Sequence, residues 1–156
     1  MATSLASDTR AAFDQARRAL TQIELDLVRR ARMTANKPTG ERDRLLESVV
    51  IAYRSGDRQL WGAVLLDLLT PALLDRLRLF RPEPPVIDVE DLRAEVVLQL
   101  LEAAATMPFP TGLRFVERRL VLRAGQGVRR WLGKERRWRA TCQPIDGLFQ
   151  EKRNER

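Results

Sequence analysis

The stretch Asp88-Val-Glu-Asp-Leu-Arg-Ala-Glu-Val-Val-Leu-Gln-Leu-Leu101 sets carboxylates beside a dense apolar run. Wound as a helix at about 100° per residue, it puts Asp88, Asp91, Glu95, Gln99 and Glu102 on one stripe. Val89, Leu92, Val96, Leu100 and Ala103 fall on an adjacent stripe, and Val97, Leu98 and Leu101 widen the apolar side. Such a helix is expected to be mostly buried, with one acidic edge in solvent. A row of carboxylates can accept charge-assisted hydrogen bonds from arginines of a partner helix. The plainer reading is that the acids only cap and solvate the helix. Asp88 suits the N-cap, and the early carboxylates suit the helix dipole.

The opposite charge gathers further on, in LRFVERRLVLRAGQGVRRWLGKERRWR. On a helix, Leu113, Val116, Leu120, Ala124 and Trp131 lie near one line and are expected in the core. Arg114, Arg118 and Arg129 form one basic track, and Arg119, Arg123 and Arg130 form a second. Lys134, Arg136, Arg137 and Arg139 carry the charge past Trp131 and Trp138. Glu117 and Glu135 are the only acids in the stretch, so local pairing cannot neutralise it. Arginines beside aromatics suit phosphate contacts and base stacking, which makes this helix, with Trp131 included, the candidate nucleic-acid surface. A merely solvated face is the alternative. Gly125 and Gly127 each weaken a helix by ~1 kcal/mol against alanine and mark a bend or a close contact.

Catalysis finds little to work with. There is no histidine, and Cys142 is the one cysteine, so the commonest general base and the Cys-cluster metal sites are missing. AGQGVRR lacks the spacing and the Lys-Ser/Thr ending of a phosphate-binding loop. Asp67, Asp75 and Asp91 do not assemble into a metal site from sequence alone. The expectation is a protein that is not an enzyme, with no catalytic residues, no metal site and no cofactor.

The chain of 156 residues suits one domain, and its 44% hydrophobic content supports a core. The net charge is +7, and all but three of the 28 basic residues are arginine. Arginine's planar fork matches phosphate, although a GC-rich genome produces the same skew. No apolar run reaches a membrane span, and the N-terminus lacks a signal pattern, so no membrane partner and a cytoplasmic location are expected.

The elements that must position these residues are helices. Ser7-Asp8 or Thr9 caps a first helix running to about Met33, with Phe13, Ala16, Leu20, Ile23, Leu27 and Val28 as its apolar stripe. Pro38 and Gly40 break it. A second helix covers Arg42 to Tyr53. Asp57 caps a third that carries Leu60, Trp61, Val64, Leu65, Leu68 and Leu69 and restarts or kinks at Thr70-Pro71 before Leu73, Leu74, Leu77 and Phe80. Three prolines in RPEPPVID impose an extended loop. The acidic helix follows, then MPFPTG, then the arginine helix from Leu113 to about Trp138. Sustained period-2 alternation is absent, so the class is all-α, a helical bundle.

The motif D-x-E-D-L-x-x-E-x-x-L-x-L-L resembles the acidic helix of region 2 in bacterial RNA polymerase sigma factors, especially the small extracytoplasmic-function type. Asp88, Glu90, Asp91, Leu92, Glu95, Leu98 and Leu100 agree with the family pattern, whereas Ala94, Val97 and Leu101 replace its usual glutamine, aromatic and tryptophan. The likeness covers about Ile51 to Arg139. It implies a region-2-like domain over 41–139, with an N-terminal helix and linker over 1–40 lying outside the likeness and a polar tail expected over 140–156. It also implies docking on the clamp coiled coil of the polymerase's largest subunit through Asp88, Glu90, Asp91, Leu92, Glu95 and Gln99. Promoter DNA would be met by Arg114, Arg118, Arg119, Arg123, Arg129, Arg130, Trp131, Lys134, Arg136 and Arg137. The family's second DNA-binding domain, region 4, has no counterpart after Trp138, so a second regulatory protein is expected to supply it.

The leading expectation is therefore a transcription regulator that binds RNA polymerase core and DNA. Two others stand beside it. One is a helical DNA- or RNA-binding module that does not bind polymerase. The other is a protein-interaction domain whose arginine face meets an acidic partner.

Overall fold

In a computed structural model of the protein, residues 2–34, 40–77, 87–110 and 114–141 are described. They form six α-helices and one short 3-10 turn, with no strand among the described residues, so the protein is an all-α bundle. The helices are α1 (Ala2–Ala16), α2 (Gln22–Met33), α3 (Gly40–Ser55), α4 (Arg58–Leu77), α5 (Val89–Thr106) and α6 (Val116–Thr141). Pro38, Phe80, the triple-proline loop, Leu113 and the tail with Cys142, Ile145, Leu148 and Phe149 lie outside the described residues.

The expected single N-terminal helix is two. After a 3-10 turn at Arg17–Ala19 the chain goes extended at Leu20, and α2 starts afresh behind Thr21. The Thr21 hydroxyl accepts from Glu24 N at 3.4 Å, and the Glu24 carboxylate accepts from Thr21 N at 2.7 Å. This reciprocal cap offers the backbone an alternative to continuing α1. The break re-phases the apolar stripe. Phe13, Leu20 and Val28 stay buried, while Ile23 is 84% exposed.

The third expected helix, by contrast, does not restart at Thr70-Pro71, because α4 runs through it. The Pro71 ring is on the exposed side. The Thr70 hydroxyl lies 2.5 Å from the Leu66 carbonyl and 3.2 Å from the Thr9 hydroxyl, which ties α4 to α1 at the same place. Asp57 caps α4 as its position predicts, accepting from Gln59 N and Leu60 N.

Helix α4 is apolar nearly all round and is buried accordingly. Trp61, Val64, Leu65, Leu68, Leu69, Leu73 and Leu77 are all in the core. It packs against α1, α3 and α6, and α6 lies along α5. Residues of α1 and α2 (Leu5, Phe13, Val28, Ala31) join the same buried cluster as those of α3 to α6.

Two charged side chains pin the bundle from inside. Asp67 of α4 accepts from Arg32 Nε at 2.9 Å and is paired with Arg10 at 3.8 Å, so it holds both α2 and α1. The Arg32 guanidinium also lies 3.8 Å from the Phe13 ring centroid, a favourable cation–π arrangement. Arg42, 5% exposed, donates to Glu117 of α6 at 2.5 Å and to the Ala31 carbonyl at 2.8 Å. Pairing these charges and hydrogen-bonding them offsets part of the cost of taking them out of water.

Candidate partner and nucleic-acid surfaces

The helix α5 forms as its sequence dictates. Asp88 is its N-cap, with the carboxylate accepting from Glu90 N at 3.1 Å. Leu92, Val96, Leu100, Ala103 and Ala104 are buried, which turns Asp91, Ala94 and Leu98 outward. Leu98 is 56% exposed. Leu92 is 1% exposed, so it is a core residue and cannot touch a partner, contrary to its place in the expected docking set. The remaining polar members also divide. Glu90 lies about 100° around the helix from Asp91 and is salt-bridged to Arg93 at 2.5 Å.

Gln99 is not a free member of the edge. Its amide donates to Glu95 Oε1 at 2.9 Å, and its side chain fills the space over Gly127 of α6. A Cβ at 127 would overlap the Gln99 amide and approach its Cγ to 2.9 Å. Of the bend and the close contact anticipated at the glycines, Gly127 marks the contact, and α6 continues through Gly125 and Gly127. Gln99 thereby positions Glu95.

Asp91, Ala94, Glu95 and Leu98, with Ile87 before the helix, form one wall of a cleft of about 350 Å³. Trp131 and Glu135 of α6 form the other. Its chemistry is three carboxylates around apolar and aromatic surface, complementary to a basic side chain with an aliphatic stem. Trp131 belongs here, half-buried on the side of α6 that faces α5, and so it is not part of the outward arginine face where it was expected.

The helix α6 starts at Val116, because Phe115 has a φ of +61° and Arg114 precedes the helix. The N-terminal amides are met from another element: Asp43 of α3 accepts from Phe115 N and Val116 N, both at 2.9 Å. From there Val116, Leu120, Val121, Ala124 and Val128 face the core. Arg118, Arg119, Arg123, Arg129, Arg130, Lys134, Arg136 and Arg137 are all exposed, and Arg114 is exposed just before them.

At 100° per residue these fall in two tracks, Arg118–Arg129–Arg136 and Arg119–Arg123–Arg130–Arg137, flanking Leu122, Gln126 and Gly133. The second track spans about 27 Å at 1.5 Å per residue. Both acids of α6 point elsewhere: Glu117 holds Arg42, and Glu135 lines the cleft with Asp91. The outward face of α6 is thus basic from Arg118 to Arg137. Exposed aromatics stand at its ends, Phe115 at 59% and Trp138 at 62%.

Sequence reasoning missed Glu135 and Ile87 as cleft residues and Phe115 as an exposed aromatic. The wheel position of Trp131 on the core line signalled its true direction; nothing local signalled the conformation of Phe115. Among the described residues no His, Cys, Asp and Glu side chains gather into a metal-binding set, and no helix is long and apolar enough to cross a membrane. No protein-family model, curated protein or solved structure matches the chain.

Proposed function

We propose that the protein is a transcription regulator of the kind its sigma-factor resemblance implies, binding RNA polymerase through the α5 edge and DNA through α6. The observation that carries this reading is the division of charge over one packed helix pair. On one side, Asp91 and Glu95 line a cleft together with the exposed Leu98. On another, arginines cover the outward face of α6 with no acid among them.

The first surface has the chemistry to meet a basic helix such as one strand of a coiled coil. Carboxylates would accept from guanidinium groups while Leu98 and Ala94 lose water against the partner's apolar residues. Asp88 and Glu90 would contribute through their field at the rim rather than by fitted contacts, since each already has a local partner. The second surface has the chemistry to follow a phosphate backbone. The two point in different directions, so one molecule can hold both partners at once.

The test is a pull-down of RNA polymerase core, wild type beside Asp91→Arg/Glu95→Arg, together with DNA binding at several salt concentrations. The double variant should lose polymerase and keep DNA. DNA affinity should fall with salt by about 0.9 in log–log slope for each phosphate met. A wild type that ignores polymerase but binds DNA would overturn the docking reading and leave a helical nucleic-acid module. A wild type that binds neither would leave a surface for an acidic protein partner.

A further inference from the structure

A second cleft, of about 630 Å³, opens where the start of α3, the end of α4 and the start of α6 meet. Four arginines line it: Arg42, which is bound to Glu117, and Arg76, Arg114 and Arg118. Its acids are already engaged. Asp43 accepts from the Phe115 and Val116 amides, Glu117 is bound to Arg42, and Asp75 has an interaction of its own. The Nε of Arg76 is buried without a hydrogen-bond partner, the kind of orphan donor that native proteins rarely leave.

The rest of the wall is apolar: Ala72, Val121, Leu122 and the ring of Phe115. Phe115 is the only non-glycine residue with positive φ among the described residues, and it remains 59% exposed. A left-handed backbone costs about 1–3 kcal/mol, and here the ring gains little burial in return. Outliers of this kind cluster at ligand sites.

The ligand that fits is anionic at one end, to satisfy two or three guanidinium forks, and flat and apolar at the other. The volume lies in the range of sites for molecules of nucleotide size. We infer that this cleft binds a nucleoside phosphate, with the phosphates on Arg76, Arg114 and Arg118 and the base against Phe115 and Leu122. The ligand is either a free nucleotide or the terminal nucleotide of a strand lying on α6, since Arg118 belongs to both the cleft and the basic face. The site does not depend on polymerase docking.

The experiment is a titration of the full chain with adenosine diphosphate, followed by calorimetry and by the ¹H–¹⁵N resonances of arginine Nε–H groups and the Phe115 amide. Inorganic pyrophosphate, adenosine, and a short single strand with or without a 5′-phosphate form the other arms. Adenosine diphosphate should saturate, move the Arg76 Nε–H resonance, and bind at least about ten-fold more tightly than pyrophosphate or adenosine. Arg76→Gln and Phe115→Ala should each weaken it about ten-fold, the scale of one charge-assisted contact or one stacked base, while Arg58→Gln, an exposed position at the far end of α4, leaves it unchanged.

Phe115→Ala alters an exposed side chain, so it keeps the test open if Arg76→Gln fails to fold. Strand binding that needs both the 5′-phosphate and Arg76 would identify a strand end as the source. Adenosine diphosphate binding without such strand binding would identify a free nucleotide. Three results would overturn the inference: no saturable binding, pyrophosphate binding as well as the nucleotide, or equal losses in the Arg58 variant.

Discussion

The side chain of Gln99 occupies the volume that a Cβ at position 127 would need, so α5 and α6 meet at a glutamine seated on a glycine. The same glutamine donates to Glu95 at 2.9 Å. Gly127→Ala gains up to ~1 kcal/mol of helix propensity but must expel Gln99, and overpacking of this kind costs ~1–3 kcal/mol. The variant is expected to melt lower by a net ~1 kcal/mol and to release Glu95 from its hydrogen bond. Gln99→Ala/Gly127→Ala removes the clash and should recover most of the loss. A double-mutant cycle by denaturant unfolding measures this, and additive effects would show that the two residues do not interact.

Asp67 joins three helices through Arg32 and Arg10, and its side chain is 9% exposed. Asp67→Asn removes the charge that Arg32 and Arg10 face. With Arg32 itself 31% exposed, water recovers part of the loss, so the cost is set at about 2 kcal/mol rather than the 3–5 of a fully buried pair. For a domain of this size that is a fall of roughly 4–8 °C in Tm. Hydrogen exchange should rise in α1 and α2 well before α5. An unchanged exchange pattern in α1 and α2 would mean that apolar packing of Phe13, Val28 and Ala31 alone holds those helices.

What could be read in advance follows how local the cause is. The cap at Asp88 and the buried stripe of α5 depend on residues within a few turns, and they stand where the spacing put them. The break at Thr21 was equally local, since Thr21-Gln-Ile-Glu24 spells a capping box, but a continuous apolar stripe masked it. The arginine tracks were legible because their helix has one core line. The seating of Gln99 on Gly127 was not, because it depends on how two helices cross 28 residues apart. Arg42 reaching Glu117 and Asp43 reaching Phe115 span more than seventy residues each, and no periodicity encodes them. The acidic cleft was half legible: α5 supplied its stripe in sequence, while Trp131 and Glu135 arrive only by packing.

Asp43 caps a helix that it does not belong to. Its carboxylate takes the first two amides before and within α6, at 2.9 Å each. Asp43→Ala is expected to cost about 1–2 kcal/mol, as for a strong N-cap, and to raise hydrogen exchange at Val116 selectively. The Phe115 conformation should relax with it, since the same carboxylate holds its amide. Fraying limited to α3, with the start of α6 still protected, would show that core burial of Val116 and Leu120 suffices to fix the end of the arginine helix.

Glu24 gives α2 a sensitivity to acid. The Thr21 hydroxyl, and after it the Thr21 backbone N–H, donate to its carboxylate and hold it below the usual glutamate value, against a small opposing effect of burial. A carboxyl whose folded value is depressed stabilises the fold above the unfolded value, near 4.3, and that contribution fades as pH falls through the folded value. The carboxylate is well exposed, so the effect on global stability is small and belongs to α2. The Glu24 side-chain resonance should titrate below the ordinary glutamate midpoint, and Thr21→Ala should move it part of the way back by removing the hydroxyl and leaving the amide. The start of α2 should lose amide protection over the same acidic interval. An ordinary midpoint in both proteins would mean that the capping box is open in solution and that the helix break at Leu20 is held by the burial of Leu20 instead.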